Sequence, residues 1–407
     1  MVTTTSTATF LEHEHLELAR QVDQFAQVAI APFSEEQVDY ISQGISFLKQ
    51  LAQEGLLRYV VSRPYGGFHP HVDIRSVCLI RQGLARYSAL ADAMFAMQGL
   101  GSYPIYLAGS EYLKKSWLPR VASGEAIAAF ALTEPQAGSD AAAIHTTARQ
   151  EGEHYILDGT KTFISNAGIA DVYVVFAKTD PAQGRNGISA LVVEKETPGL
   201  RMIRKLELIA PHPIGEIQME ACRVPKENLV GEVGAGFSIM MRTLESFRTT
   251  VGAAAIGMAE RALAEAVAYT KNRVQFGKTL SEFQGLRFML AEMATELEAS
   301  RLLVYHAAAK LDETRPGLVA NRRCGERDDS SSVLLSSMAK LHATETAQRV
   351  IDQALQMHGG MGVLKGSPVE RLYREIRPLR VYEGTSEIQK EIIARQLLKT
   401  DKRWLLS

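Results

Sequence analysis

Glu383 stands between a tyrosine and a glycine, and two hydroxyl residues follow it, in the run Val381-Tyr382-Glu383-Gly384-Thr385-Ser386-Glu387-Ile388-Gln389. An apolar-periodic segment continues through Ile392 and Leu397. Ser386 and Gln389 have the spacing of a capping box, which predicts a helix starting here. Glu383 then lies in the turn before a helix N-terminus, where Gly384 lets the backbone bend sharply. The helix dipole favours negative charge at that end, and burial beside Tyr382 disfavours it. A carboxylate between those two pulls can be tuned as a general base. On this stretch alone an ordinary turn glutamate reads equally well, so the surroundings must decide.

Three other stretches carry residue types suited to a bound group. Phe130-Ala131-Leu132-Thr133-Glu134-Pro135-Gln136-Ala137-Gly138-Ser139-Asp140 follows a short apolar strand and offers turn backbone and hydroxyls to a phosphate or a flavin ring. Phe163 and Ser165, two apart in Lys161-Thr162-Phe163-Ile164-Ser165-Asn166, would put an aromatic face and a hydroxyl on one side of a strand. That pair can cover a planar cofactor and bond a ring nitrogen, although an ordinary cross-strand pair has the same pattern. Arg273-Val274-Gln275-Phe276-Gly277 follows a helix, and an arginine at a helix end can hold a phosphate bidentately. Arg248 lies on an otherwise apolar face: it needs an anionic partner if buried, and none if it is a surface residue.

The rest of the chain must position these residues. With 407 residues, length implies two or three domains, and 46% hydrophobic content is enough for large cores. A net charge of −1 argues against a nucleic-acid partner, and no apolar run approaches a membrane span. The Thr/Ser-rich start reads as a frayed tail and not a signal peptide. Cys78, Cys222 and Cys324 are far apart, with no CxxC spacing, so neither a disulfide framework, a structural zinc nor another metal site is expected. A reducing cytoplasm fits best.

From Leu16 to Leu118 the apolar pattern is helical, and Asp92 to Leu107 reads as a fully buried helix pair or the wall of an apolar pocket. From Ile127 to about Val230 the period falls to two. His154 to Leu157 and Thr160 to Ile164 read as a hairpin turning at Asp158-Gly159. The helical period returns after Gly236, with Ser281 and Gln284 as a capping box, and four long helices read as an antiparallel bundle. Residues 312–332 read as an exposed loop. The order α, β, α gives an α+β chain of three domains: 1–126 helical, 127–233 β, and 234–407 helical.

In combination, LTEPQAGSD, KTFISNAG, the run from Arg273 to Gln284, QMHGGMG and YEGTSEIQ resemble the acyl-CoA dehydrogenase family, in family order and spacing, over roughly residues 16 to 400. The resemblance implies a helical N-terminal domain, a middle β-barrel and a C-terminal four-helix bundle. It implies FAD, with Phe130, Leu132, Thr133, Gly138 and Ser139 holding its ring and pyrophosphate, Phe163 stacking on it, and Ser165 bonding near N5. Arg273, Phe276, Gln284, Gln356, Gly359 and Gly360 would hold the adenosine half of a flavin bound mainly by another subunit, which implies a dimer at least and a homotetramer by family. Thr385, Ser386 and Glu387 would touch the flavin. Ser139, Gly384, Glu245 and Arg248 would meet the substrate, the last two at the CoA nucleotide.

By the same resemblance Glu383 would take the α-proton of an acyl-CoA thioester while flavin N5 takes the β-hydrogen. The product would be the trans-2-enoyl thioester, and electrons would leave to an electron-transfer flavoprotein. The chain also departs from the family. Glu245 replaces the usual Asp, and Phe247 stands where some branched-chain and long-chain members carry their base. Arg81-Gln82 replaces an acidic pair, Leu208 to Pro213 replaces a Gly-containing turn, and Ala91 replaces the arginine of glutaryl-type members. Other readings are an acyl-CoA oxidase, a dehydrogenase of carrier-protein thioesters, a flavin monooxygenase, which typically lacks the Glu, and a non-catalytic scaffold. Acyl length and branching are not legible.

Overall fold

The computed structural model describes residues 8–33, 39–314 and 330–399. Most of the N-terminal tail and of the expected 312–332 loop, with Cys324, lies outside them. Five helices come first: α1 (His13–Phe25), α2 (Tyr40–Gln53), α3 (Ile74–Ala85), α4 (Ala89–Ala108) and α5 (Glu111–Ser123). Asp39, Asp73, Ser88 and Ser110 cap the last four, each accepting from a backbone N–H of the first turn. The segment from Asp92 to Leu107 lies within the single helix α4, buried all round, and is not a helix pair.

The middle of the chain is a sheet: β1 (Ala128–Ala131), β2 (Thr147–Glu151), β3 (His154–Ser165), β4 (Val172–Lys178), β5 (Ile188–Glu194), β6 (Leu200–Lys205), β7 (Ile214–Pro225) and β8 (Leu229–Val230). Its order is β6-β7-β3-β2-β4-β5-β8, with β1 parallel to β4. The period-two pattern divides the strands cleanly. Val172, Val174 and Phe176 face the main core, and Tyr173, Val175 and Ala177 face a second core inside the sheet. The hairpin expected at Asp158-Gly159 does not turn there: β3 runs straight through, with register shifts against β7, and the tight turn lies at Gly152-Glu153 between β2 and β3. Asp158 accepts from the backbone N–H of Ala221, so it anchors a bulge and makes no turn.

The C-terminal part is α6 (Gly236–Asn272), α7 (Gln284–Thr314), α8 (Ser330–His358), α9 (Pro368–Ile376) and α10 (Ser386–Lys399). Helices α6, α7 and α8 pack mutually, and α10 packs on α8. Helix α7 is not introduced by Ser281 and Gln284: the capping box is Thr279 with Glu282, on a short turn just before it. Helix α4 ties the parts together, since the Gln98 side chain donates to the Ala126 carbonyl and accepts from Ala128 N–H at the start of β1. On the other side of α4, Tyr103 packs edge-on to Phe247 of α6.

Candidate active site

The backbone at Glu383 is left-handed, with φ 52°, and Gly384 follows at φ 91°. The positive φ favours glycine at 384, and a Cβ there would stand 2.4 Å from the Gln389 amide nitrogen and displace it from the turn. A non-glycine residue in this region costs about 1–3 kcal/mol unless its surroundings hold it. Here they do. Gln389 donates through Nε2 to the carbonyls of Glu383 (3.2 Å) and Gly384 (3.0 Å), and Lys340 Nζ of α8 donates to the Gly384 carbonyl at 2.8 Å. The capping box expected from Ser386 and Gln389 is not formed. Thr385 caps α10 through Ile388 N–H, Ser386 donates to Glu345, and Gln389 is used on the turn.

Glu383 Oε2 is a buried carboxylate oxygen without a hydrogen-bond partner. Buried polar atoms are normally satisfied, so an orphan on a strained turn points to a group that acts on something not part of the chain. Burial pushes the Glu383 carboxyl above its ordinary value, and Arg81, Lys340 and Arg248 pull it back, with Asp92 opposing them. Lys340 is itself fully buried, and burial lowers its ammonium to about 8 against the pull of Glu383.

Arg81 and Asp92 form a buried two-point pair, Nε to Oδ1 and Nη2 to Oδ2 both at 2.8 Å, while Nη1 donates to Thr250 at 2.9 Å. Arg81 is one of the two residues that stand where the family commonly has an acidic pair, and Asp92 supplies its carboxylate partner. Arg248 is buried and not on the surface: its Nη1 donates to Ser337 at 3.1 Å and its Nε to the Leu244 carbonyl. Burial lowers it, with Glu245 and Glu383 opposing, and both of these hydrogen-bond partners are neutral. Glu245 is also buried and accepts from Ser332 at 2.8 Å.

A second group surrounds β1 and the end of β3. Phe130 packs on Phe176, Leu132 is buried, Thr133 accepts from Thr162 N–H, and Gly138 and Ser139 are exposed. Phe163 is 57% exposed at φ 54°, with a bare aromatic face, and Ser165 bonds His212. What fixes this loop is a pair that the sequence reading left unassigned. Lys161 Nζ reaches Glu134 Oε1 (2.8 Å) and the Leu132 carbonyl (2.9 Å), and Glu134 also accepts from His145 and Thr146 N–H and from Thr146 Oγ1. Burial works to raise the Glu134 carboxyl, and Lys161 with these donors overrides it, so the pair is ionic.

A third group lies at the far ends of α6 and α8, which Tyr269 and His358 join by stacking at 4.3 Å. Arg273, Gln284 and Gln356 are exposed there, Phe276 is 93% exposed, and Gly359 and Gly360 have open space where a Cβ would stand. Arg248 and Arg273 are separated by about 37 Å along α6, at 1.5 Å per residue. One chain therefore does not bring this group to Glu383. Glu387 is exposed, and Thr385 and Gly384 are half-buried beside Glu383.

Three family models match most of the chain: acyl-CoA dehydrogenase N-terminal domain over residues 12–125, middle domain over 129–222 and C-terminal domain over 234–398. The chain belongs to the acyl-CoA dehydrogenase family. It is 39% identical over 394 residues to the 3-(aryl)acrylate reductase of Clostridium sporogenes, covering 96% of this chain and 100% of that protein. It is 40% identical to an acyl-CoA dehydrogenase of Bacillus subtilis, covering 95% and 98%. To the caffeyl-CoA reductase-Etf complex subunit CarC of Acetobacterium woodii it is 39% identical, covering 86% and 89%. Among solved structures, butyryl-CoA dehydrogenase from Megasphaera elsdenii superposes with TM-score 0.87 at 34% identity, covering 96% and 99%. An acyl-CoA dehydrogenase complexed with FAD from Bacillus anthracis gives 0.86 at 31%, covering 97% and 69%. The α+β fold expected from the helix–strand–helix order is that of the family, and the acyl-CoA dehydrogenase is a FAD-dependent oxidoreductase. The exposed Phe163 face, the Ser165 hydroxyl and the open sides of Gly138, Gly359 and Gly360 fit such a cofactor.

Proposed function

We propose that this dehydrogenase removes hydrogen from the α,β-bond of an acyl-CoA thioester, giving the trans-2-enoyl thioester, with Glu383 as the base for the α-proton. The observation that carries the reading is the orphaned Oε2 of Glu383, buried on a left-handed turn and ringed by Arg81, Lys340 and Arg248. A carboxyl raised by burial is a stronger base once ionised, and nearby cations keep enough of it ionised to act. Phe247 is buried and apolar, so that position supplies no competing carboxylate.

FAD supplies the acceptor for the β-hydrogen when bound. Phe130, Leu132, Thr133, Gly138, Ser139, Phe163 and Ser165 would hold its reactive half, with Thr385, Ser386 and Glu387 against it. Arg248, a buried cation that donates to the neutral Ser337 hydroxyl and Leu244 carbonyl, suits an anionic part of the CoA nucleotide, with Glu245 beside it. Ser139 and Gly384 would contact the thioester. The remote third group would serve the flavin of a second copy, which makes a dimer the least competent unit and a homotetramer the assembly we expect. The divisions near 126/127 and 233/234 fall between α5 and β1 and between β8 and α6. The named partnership of the Acetobacterium woodii relative supports an electron-transfer flavoprotein as acceptor, and we place the reaction in the cytoplasm. Relatives named as reductases suggest the reverse bond change, in which the same raised carboxyl returns the proton to Cα.

Glu383→Gln tests the assignment. It keeps size and polarity but cannot accept the α-proton. Flavin content and the spectral response to a non-reactive thioester should persist, and dithionite should still reduce the flavin. Flavin reduction by the best thioester should fall by roughly 10²–10⁴-fold. Near-parental reduction would exclude Glu383 as the base.

A further inference from the structure

Ser165 ends β3 opposite Ile214, the first residue of β7, and Asn166 N–H donates to the Pro213 carbonyl at 2.8 Å. This pairing delivers His212 to Ser165, with His212 Nε2 at 3.1 Å from Ser165 Oγ. The other ring nitrogen, Nδ1, is 3.3 Å from the Ala210 carbonyl. The loop carrying the histidine is held at two further points: Leu206 N–H bonds the Ile214 carbonyl, and Arg374 of α9 donates to the Ile209 carbonyl. His212 is therefore fixed in place, and it belongs to the segment where the sequence departs from the family turn.

The hydrogens can be assigned from these contacts. A carbonyl only accepts, so Nδ1 carries the proton. In a neutral imidazole Nε2 is then an acceptor, and the Ser165 hydroxyl must be the donor. Burial holds His212 below its ordinary value, which keeps it neutral near pH 7. A hydroxyl has one hydrogen and two lone pairs. With its hydrogen committed to His212, Ser165 has only lone pairs to offer toward the cofactor.

We infer that His212 sets the polarity of Ser165, making it an acceptor toward flavin N5 and thereby favouring the reduced cofactor. This rests on the reading above that Ser165 meets N5. Oxidised N5 has a lone pair and no hydrogen, so an acceptor-only hydroxyl gives it nothing. Reduced N5 carries a hydrogen, which the Ser165 lone pair receives. His212 is thus a positioning residue for the redox step: its two ring nitrogens are taken up by Ser165 and the Ala210 carbonyl, and it acts through one hydroxyl.

The experiment uses FAD-loaded enzyme reconstituted with flavin labelled with ¹⁵N at N5, together with the equilibrium between enzyme flavin and a reference dye. In the parent, Ser165→Ala should leave the oxidised N5 resonance in place, because no hydrogen bond to it is lost, and should lower the reduced-to-oxidised ratio at fixed potential. His212→Leu frees the serine hydrogen. The oxidised N5 resonance should move upfield, and the ratio should fall by about tenfold, or ~30 mV for a two-electron couple. The double variant should return the resonance to the parental position. A downfield move of oxidised N5 in Ser165→Ala would show that serine already donates, which overturns the assignment while keeping the site. If Ser165→Ala changed neither resonance nor ratio, Ser165 would not meet N5, and the flavin-site reading itself would fall. If His212 proves needed for folding, the parent and Ser165→Ala alone decide between donor and acceptor.

Discussion

Lys340→Met separates the two things that Lys340 does beside Glu383. Its ammonium donates to the Gly384 carbonyl at 2.8 Å, and its charge lowers the Glu383 carboxyl against the effect of burial. The hydrogen bond is not the only one on that carbonyl, because Gln389 Nε2 reaches the same oxygen and the Glu383 carbonyl beside it. Methionine keeps the length of the side chain, so the turn should survive with its left-handed backbone. The charge has no such substitute. Removing an opposite charge near a carboxyl raises its pKa by 1–3 in well-coupled cases; with Arg81 and Arg248 still present, about one unit is the reasonable expectation. One unit corresponds to about 1.4 kcal/mol between the two protonation states, or tenfold in the ionised fraction below the pKa. The pH dependence of flavin reduction, measured by anaerobic stopped flow with a saturating thioester, reads this directly. The base acts ionised, so the rate rises with pH through the Glu383 titration. In the variant the rising limb should move about one unit to higher pH, with the rate lower by up to about tenfold below it. Lys340 titrates near 8 and loses its charge above that, so parent and variant should converge on the alkaline side. A uniform loss at every pH would mean that Lys340 serves only the backbone, and an unmoved limb would refute the electrostatic argument.

Three other outcomes follow from the same geometry. Arg248→Gln should raise KM for CoA thioesters by on the order of tenfold, the scale of a charged hydrogen bond of about 1.5–3 kcal/mol, and should shift the Glu383 titration upward because Arg248 also stabilises that carboxylate; a shift with no change in KM would remove Arg248 from the nucleotide site. Glu134→Gln or Lys161→Met should each destabilise the protein by roughly 3–5 kcal/mol, by leaving a buried charge unpaired, while the double variant should recover much of that loss in thermal unfolding of the apoprotein; a double variant that loses as much as the two single variants added together would mean the pair is not coupled. Phe276→Asp with Arg273→Glu should lower flavin retention on dilution although neither residue is near Glu383 in one chain, with light scattering reporting whether assembly is lost as well; a fully flavinylated monomer would contradict the shared-site reading.

How far the chain could be read beforehand depended on whether a signal was local. The period change at residue 127 and its return after 236 are local, because burial on one face repeats every two or 3.6 residues, and both appear in the fold as β1 and α6. The Tyr-Glu-Gly-Thr-Ser context pointed to Glu383 because left-handed backbone and a helix start are local requirements. The pieces that hold Glu383 in place were less legible, since each depends on a partner far away in sequence. Gln389 has the spacing of a capping residue, and only Lys340 on α8 and the approach of Gly384 explain why its amide turns to two carbonyls instead. Asp158-Gly159 has hairpin composition, yet β7 supplies a partner along the whole of β3, and a continuous ladder outweighs a turn preference. A sharper signal was available for the buried ions. Arg81 interrupts Val-Cys-Leu-Ile, Asp92 interrupts Ala-Leu-Ala, and Lys340 sits at four-residue spacing with Ser336 and Thr344 on a helix face of small residues. A charge on a face that must be buried has to be paired or put to use. In this chain Arg81 and Asp92 pair with each other, Lys340 holds the turn, and the buried Arg248 and the orphaned oxygen of Glu383 are the groups that the proposed reaction would put to use.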